Sequence, residues 1–117
     1  MRTRTLVLSL LFAAVATAAA HAHAFLDHAS PLVGSTVATA PHEVALTFTQ
    51  NLEAAFSSVQ VTDPKGARID TGKPQISGNT MRVGLKASGP GRYHVHWHAL
   101  SVDTHKTEGN FSFTVGQ

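Results

Sequence analysis

The chain predicts an all-β domain, an antiparallel sandwich or barrel of Greek-key type, on three observations. Apolar residues recur with a period of two in five separate stretches. Clusters of Gly, Pro, Asn and Asp fall between those stretches, and beyond residue 22 nothing carries the apolar spacing of a long helix.

The amino end is of a different kind. Arg2 and Arg4 precede a continuous run of apolar and small residues over 6–20, broken only by Ser9 and Thr17, and the small-x-small triplet Ala20-His21-Ala22 follows. This is the pattern of a secretory signal, residues 1–22, cut after Ala22. A membrane anchor needs about 20 apolar residues, and this run falls short and meets two histidines. A cut after Ala20 also satisfies the peptidase and would leave His21-Ala22-His23 as the new terminus.

Residues 23–117 then form one domain. The formal charge of +2 rests on Arg2 and Arg4, so this segment is charge-balanced and offers no basic face for nucleic acid. With no cysteine in an exported domain of this size, a hydrophobic core must supply the stability that disulfides often give.

The strands follow in order. Val44, Leu46 and Phe48 alternate with Ala45, Thr47 and Thr49; Val59 and Val61 alternate with Gln60 and Thr62; Met81, Val83 and Leu85 alternate with polar or small residues. Tyr93, Val95 and Trp97 alternate with His94, His96 and His98, and Phe111, Phe113 and Val115 alternate with Asn110, Ser112 and Thr114. Each stretch turns one face inward, which makes Tyr93 and Trp97 core residues. Turns are expected at Ser30-Pro31, Val33-Gly34, Ala40-Pro41, Asp63-Pro64-Lys65-Gly66, Ser77-Gly78-Asn79 and Gly89-Pro90-Gly91.

Candidate chemistry sits at the two ends. After cleavage, His23 carries a free α-amine beside its imidazole, a two-toothed nitrogen ligand from one residue. Asp103 and His105, two apart, would point from one strand face and add an oxygen and a third nitrogen. Three nitrogens and a carboxylate suit Cu(II), one ion per mature chain. With no thiolate, and with Met1 and Met81 as the only thioethers, a soft Cu(I) site has little to work with. Taken alone, Asp103-Thr104-His105 also reads as a polar turn.

His94, His96 and His98 share one strand face and could chelate a second metal. With no carboxylate at matching spacing, they read instead as a solvent-facing row. Lys106 and Glu108 read as solvated loop residues, and His28 and His42 carry no assigned role.

Several of these segments also carry a resemblance. His23-Ala24-Phe25-Leu26, Ser30-Pro31, Leu46-Thr47-Phe48-Thr49-Gln50-Asn51-Leu52 and Phe56-Ser57 are among them. So are Gly91-Arg92-Tyr93-His94-Val95-His96-Trp97, the block from Ser101-Val102-Asp103-Thr104-His105 to Gly109, and Phe111-Ser112-Phe113-Thr114-Val115. Together they resemble the CopC family of periplasmic copper-binding proteins over essentially the whole of residues 23–117. The resemblance implies an immunoglobulin-like, cupredoxin-like β fold, with Cu(II) held by the amine and imidazole of His23, Asp103 and His105. It favours the cut after Ala22.

Two departures stand out. The methionine-rich Cu(I) loop of some family members has no counterpart in residues 62–77, which contain no methionine, so a Cu(II)-only protein is expected. Gln50 stands where members often have a Glu that assists the metal, and Glu53 is the nearby residue that could relay that support.

The favoured expectation is a monomeric periplasmic Cu(II) carrier or buffer in copper homeostasis or resistance. It would not be membrane-embedded after cleavage, it would have no catalytic residues, and it would hand copper to an inner-membrane transporter. A copper-dependent oxidase or monooxygenase using the same amino-terminal histidine is the alternative, and an adhesive β module with incidental histidines is the third.

Overall fold

The computed structural model describes residues 24–117, so the expected signal segment and His23 lie outside the described residues. Eight strands run β1 (Leu26–Ser30), β2 (Thr36–Val37), β3 (Glu43–Phe48), β4 (Ser58–Thr62), β5 (Asp70–Ser77), β6 (Thr80–Leu85), β7 (Gly91–Leu100) and β8 (Lys106–Val115). A 3-10 turn, Ala54–Phe56, lies between β3 and β4. They form two four-stranded sheets in the orders β1-β3-β6-β5 and β2-β8-β7-β4. Neither sheet closes on itself, so the fold is a sandwich and not a barrel.

All five stretches with alternating pattern are strands, and their apolar sides fill the space between the sheets. Val44, Leu46, Phe48, Met81, Val83 and Leu85 come from one sheet; Val59, Val61, Tyr93, Val95, Trp97, Phe111, Phe113 and Val115 come from the other. Removing each large side chain of this kind from water is worth roughly 1.5–3 kcal/mol. Phe48 meets Trp97 edge to face across the core, with ring centroids 4.9 Å apart at 75°. Tyr93 and Phe113, paired across β7 and β8, stack at 5.3 Å. The buried Tyr93 hydroxyl reaches the Ser88 carbonyl at 2.7 Å, which supplies the partner that a phenol inside a core requires.

Three strands lacked a legible pattern. β1 and β2 are short, and β2 pairs with β8 in parallel, where only antiparallel pairing was expected. β5 lies at a sheet edge and breaks register between Thr71 and Gln75, a stretch that includes Gly72 and Pro74. An edge is where a sheet tolerates proline, because the missing N–H costs no ladder bond there. Two polar anchors hold this region: Asp70, its side chain 3% exposed, accepts from the Val61 N–H at 2.9 Å and from Arg68 Nε at 2.9 and 3.1 Å. Burial pushes the Asp70 carboxyl up, but the Arg68 and Val61 bonds outweigh it and hold the group below the usual carboxylate range.

The element that positions the candidate site is the β7–β8 hairpin. Its strands pair continuously from Gly91↔Val115 to Leu100↔Lys106, and residues 101–105 form the tip. No helix among the described residues is long and apolar enough to cross a membrane.

Candidate metal centre

Asp103, Thr104 and His105 lie in the turn at the hairpin tip and not on a strand, so strand period does not bring their side chains together. The turn does. Thr104 adopts φ 71°, the left-handed region that a β-branched residue rarely enters, and this reverses the chain between its two neighbours. The Thr104 N–H donates to the Ser101 carbonyl at 2.9 Å, and the Ser101 N–H donates to the His105 carbonyl at 3.0 Å, closing the loop.

Within that loop Asp103 Oδ1 stands 3.3 Å from His105 Nδ1, with the side chains 31% and 50% exposed. Two bonds of about 2.1 Å from one ion put their donor atoms about 3.0–3.4 Å apart at tetragonal to tetrahedral angles. The pair therefore already has the spacing of two ligands on one metal, and it is open on its outer side. Ser101, fully buried, donates its hydroxyl to Asp103 Oδ1. That bond, followed by the contributions of His105, outweighs desolvation and holds the Asp103 carboxyl below its ordinary range, so the group is an anion ready for a cation.

The amino end of the described chain comes to the same tip. Thr107 Oγ1 donates to the carbonyl of the buried Ala24 at 2.7 Å. Phe25 exchanges bonds with Thr49 at the end of β3: its N–H donates to Oγ1 at 3.0 Å, and its carbonyl accepts the Thr49 N–H at 2.9 Å. Residues 24 and 25 are thus clamped between the sheets, two residues along β8 from His105. Of the predicted ligands, Asp103 and His105 are brought together, while His23 lies outside the described residues, one peptide bond before Ala24.

A second cluster was set aside at the sequence level. His94, His96 and His98 do face outward from β7, as the alternation predicts. Glu108, however, belongs to β8 and not to a loop, and the register sets it directly opposite His98. Its Oε2 lies 3.0 Å from His98 Nε2 and 3.5 Å from His96 Nε2. The expectation that no carboxylate accompanies the histidine row is corrected: the carboxylate comes from the neighbouring strand. Counting outward from the Leu100↔Lys106 pair at the tip would have found it. Glu53, the suggested stand-in for the charge Gln50 lacks, is exposed and donates its backbone N–H to the Leu100 carbonyl at 2.8 Å, beside the same tip.

Comparison with known proteins gives a consistent assignment. The family description "CopC domain" matches residues 26–116. Protein YobA of Escherichia coli (strain K12) is 35% identical over 97% of this chain and 95% of its own length. The crystal structure of CopC from Methylosinus trichosporium OB3b superimposes with a TM-score of 0.73 at 31% identity, covering 80% of this chain and 93% of that one. PcoC, a methionine-rich copper resistance protein from Escherichia coli, gives 0.70 at 30% identity, covering 81% of this chain and all of that one. With its sandwich, its polar hairpin tip and matches that run across nearly the whole described segment, the chain belongs to the CopC family of copper-binding proteins.

Proposed function

We propose that the chain, once cut after Ala22, is a periplasmic carrier or buffer of Cu(II), binding one ion. The ion would be held by the α-amine and imidazole of His23, the Asp103 carboxylate and the His105 imidazole. Here copper is cargo.

The single observation that carries this reading is the bond from Thr107 Oγ1 to the Ala24 carbonyl. It fixes the residue after His23 beside the strand that follows His105, and consecutive Cα atoms lie only about 3.8 Å apart. The donor chemistry supports the same ion: three nitrogens and one carboxylate, with no sulfur, suit Cu(II) over Cu(I) and outrank zinc by affinity order. Asp103 supplies an anion that partly neutralises the charge. The Ser101 and Thr104 bonds hold the loop in its shape before metal arrives, which reduces the ordering cost of binding. Protons compete for the amine and the imidazoles, so affinity falls in acid and copper is released where pH drops.

The test compares chains beginning at His23 with chains carrying one extra residue before it. Mass spectrometry of the exported protein fixes the natural terminus, and copper titration follows the d–d absorption band. The His23 form is expected to take one tight equivalent and the extended form to bind at least a hundredfold more weakly. Equal affinity would overturn the proposal.

A further inference from the structure

We infer that His96, His98 and Glu108 form a second, open binding site for a late first-row divalent ion, Zn(II) or Cu(II), on the outer face of the β7–β8 hairpin. Among the described residues these three offer ligand atoms that all lie within 4.8 Å of one another. The site uses none of the residues assigned to the first.

Two contacts orient the ring of His96. Its Nδ1 lies 2.5 Å from Asn110 Oδ1, an atom that can only accept, so Nδ1 carries the proton. With Nδ1 engaged by Asn110, Nε2 is the nitrogen turned toward Glu108 Oε2, 3.5 Å away. An ion seated between Nε2 and Oε2 would meet both donor atoms. This is the arrangement by which metal-binding histidines are prepared: one ring nitrogen donates to an oxygen, and the other is left free and aimed.

Glu108 Oε2 also meets His98 Nε2 at 3.0 Å, and the two imidazoles stand edge to face, centroids 4.7 Å apart. The separations of 3.0 and 3.5 Å bracket the spacing of about 3.3 Å that two metal bonds of 2.0–2.1 Å impose at a tetrahedral angle. His96 and His98 stand two apart on β7, and Glu108 faces His98 from β8, so the paired backbone fixes the Cβ positions and only side-chain torsions need adjust. A cleft of 220 Å³ lined by His98, Lys106, Thr107 and Glu108 leaves room for water on the open side. Two histidines, one glutamate and a water are the ligand set of an open zinc site, and Cu(II) exceeds Zn(II) at any such set of nitrogen and oxygen donors. His94, on the same face one step further along, is no part of the cluster.

The experiment follows the imidazole nitrogens of the chain beginning at His23 by NMR during separate titrations with Zn(II) and Cu(II), and repeats both in H105A, where the first site is impaired. Expected with Zn(II) is a saturable shift of the His96 and His98 Nε2 resonances, and with Cu(II) their broadening, with the response surviving in H105A. H98A should abolish it, E108Q should weaken it at least tenfold, and H94A should leave it unchanged. All three side chains are partly exposed, so these variants keep the fold, and a thermal melt of each checks this. Resonances unmoved by two equivalents of either ion would overturn the inference, as would an H94A effect equal to that of H98A. Loss of the response in H105A alone would overturn it too, by showing one site and not two.

Discussion

Gly109 lies flat against the indole of Trp97: a methyl group placed on its Cα would stand 2.6 Å from Cζ2 and 2.8 Å from Cε2 of the ring. The two residues face each other in register across β7 and β8, and the backbone of Gly109 is not in the left-handed region. Space, not flexibility, demands glycine here. The glycine that closes the Asp103-x-His105-x-x-x-Gly109 block is therefore a packing requirement of the strand behind the hairpin tip. Gly109→Ala is expected to destabilise the domain by about 1–3 kcal/mol through displacement of the indole, read by chemical denaturation. An unchanged midpoint would contradict the packing argument.

Thr107 ties the Ala24 carbonyl to β8 beside the proposed ligands. Thr107→Val keeps the shape of the side chain but leaves the buried Ala24 carbonyl without its donor. A stability loss of about 1–3 kcal/mol is expected. If the anchored Ala24 is what presents His23, copper affinity should fall at least tenfold, whereas a purely structural bond would leave affinity untouched in the folded fraction. Competition titration against a chelator of known affinity separates the two.

Ser101 acts through Asp103. Removing the hydroxyl in Ser101→Ala takes away the largest influence holding the Asp103 carboxyl below its ordinary range. Its titration midpoint should move upward toward that range, read from the side-chain carboxyl carbon by NMR. Copper retention in acid should weaken in parallel, since protons then compete for Asp103 at higher pH. A carboxyl that titrates as before would deny Ser101 this role.

Asp70 sets an acid limit on the fold itself. Its carboxyl sits below its ordinary value when folded, so the stability it contributes is fully present above the unfolded value of about 3.9 and is lost as pH falls through the folded value. Asp70→Asn should therefore be less stable near neutral pH and show a flatter decline in stability on acidification than the parent. Equilibrium unfolding across that pH window measures both, and parallel curves would remove Asp70 from the account.

The sequence disclosed the fold where side chains alternate sharply and hid it where edges prevail. β3, β4, β6, β7 and the second half of β8 carry apolar residues at alternate positions, because each has one face on the core. β5 has no such signature: its pattern is interrupted by a bulge and by Pro74, both permitted because one side of the strand has no partner. At the hairpin tip the pairing of Asp103 with His105 was legible but its reason was not. Asp103 and His105 converge through a turn pinned by Ser101 and the unusual Thr104 backbone, features that period-two reasoning does not contain. Glu108 was missed for a related cause, since its partners are ten and twelve residues away and only the register of β7 on β8 makes them neighbours.

Trp97 is the only tryptophan of the chain, and it is 6% exposed, wedged between Phe48 and Gly109. Its immediate neighbours in sequence are His96 and His98. Its fluorescence is consequently a built-in optical gauge for the two proposed sites: open-shell Cu(II) captured there would drain the excited indole, whereas closed-shell Zn(II) would leave it bright. Emission recorded during loading would thus follow the arrival of paramagnetic ions without any label attached to the protein.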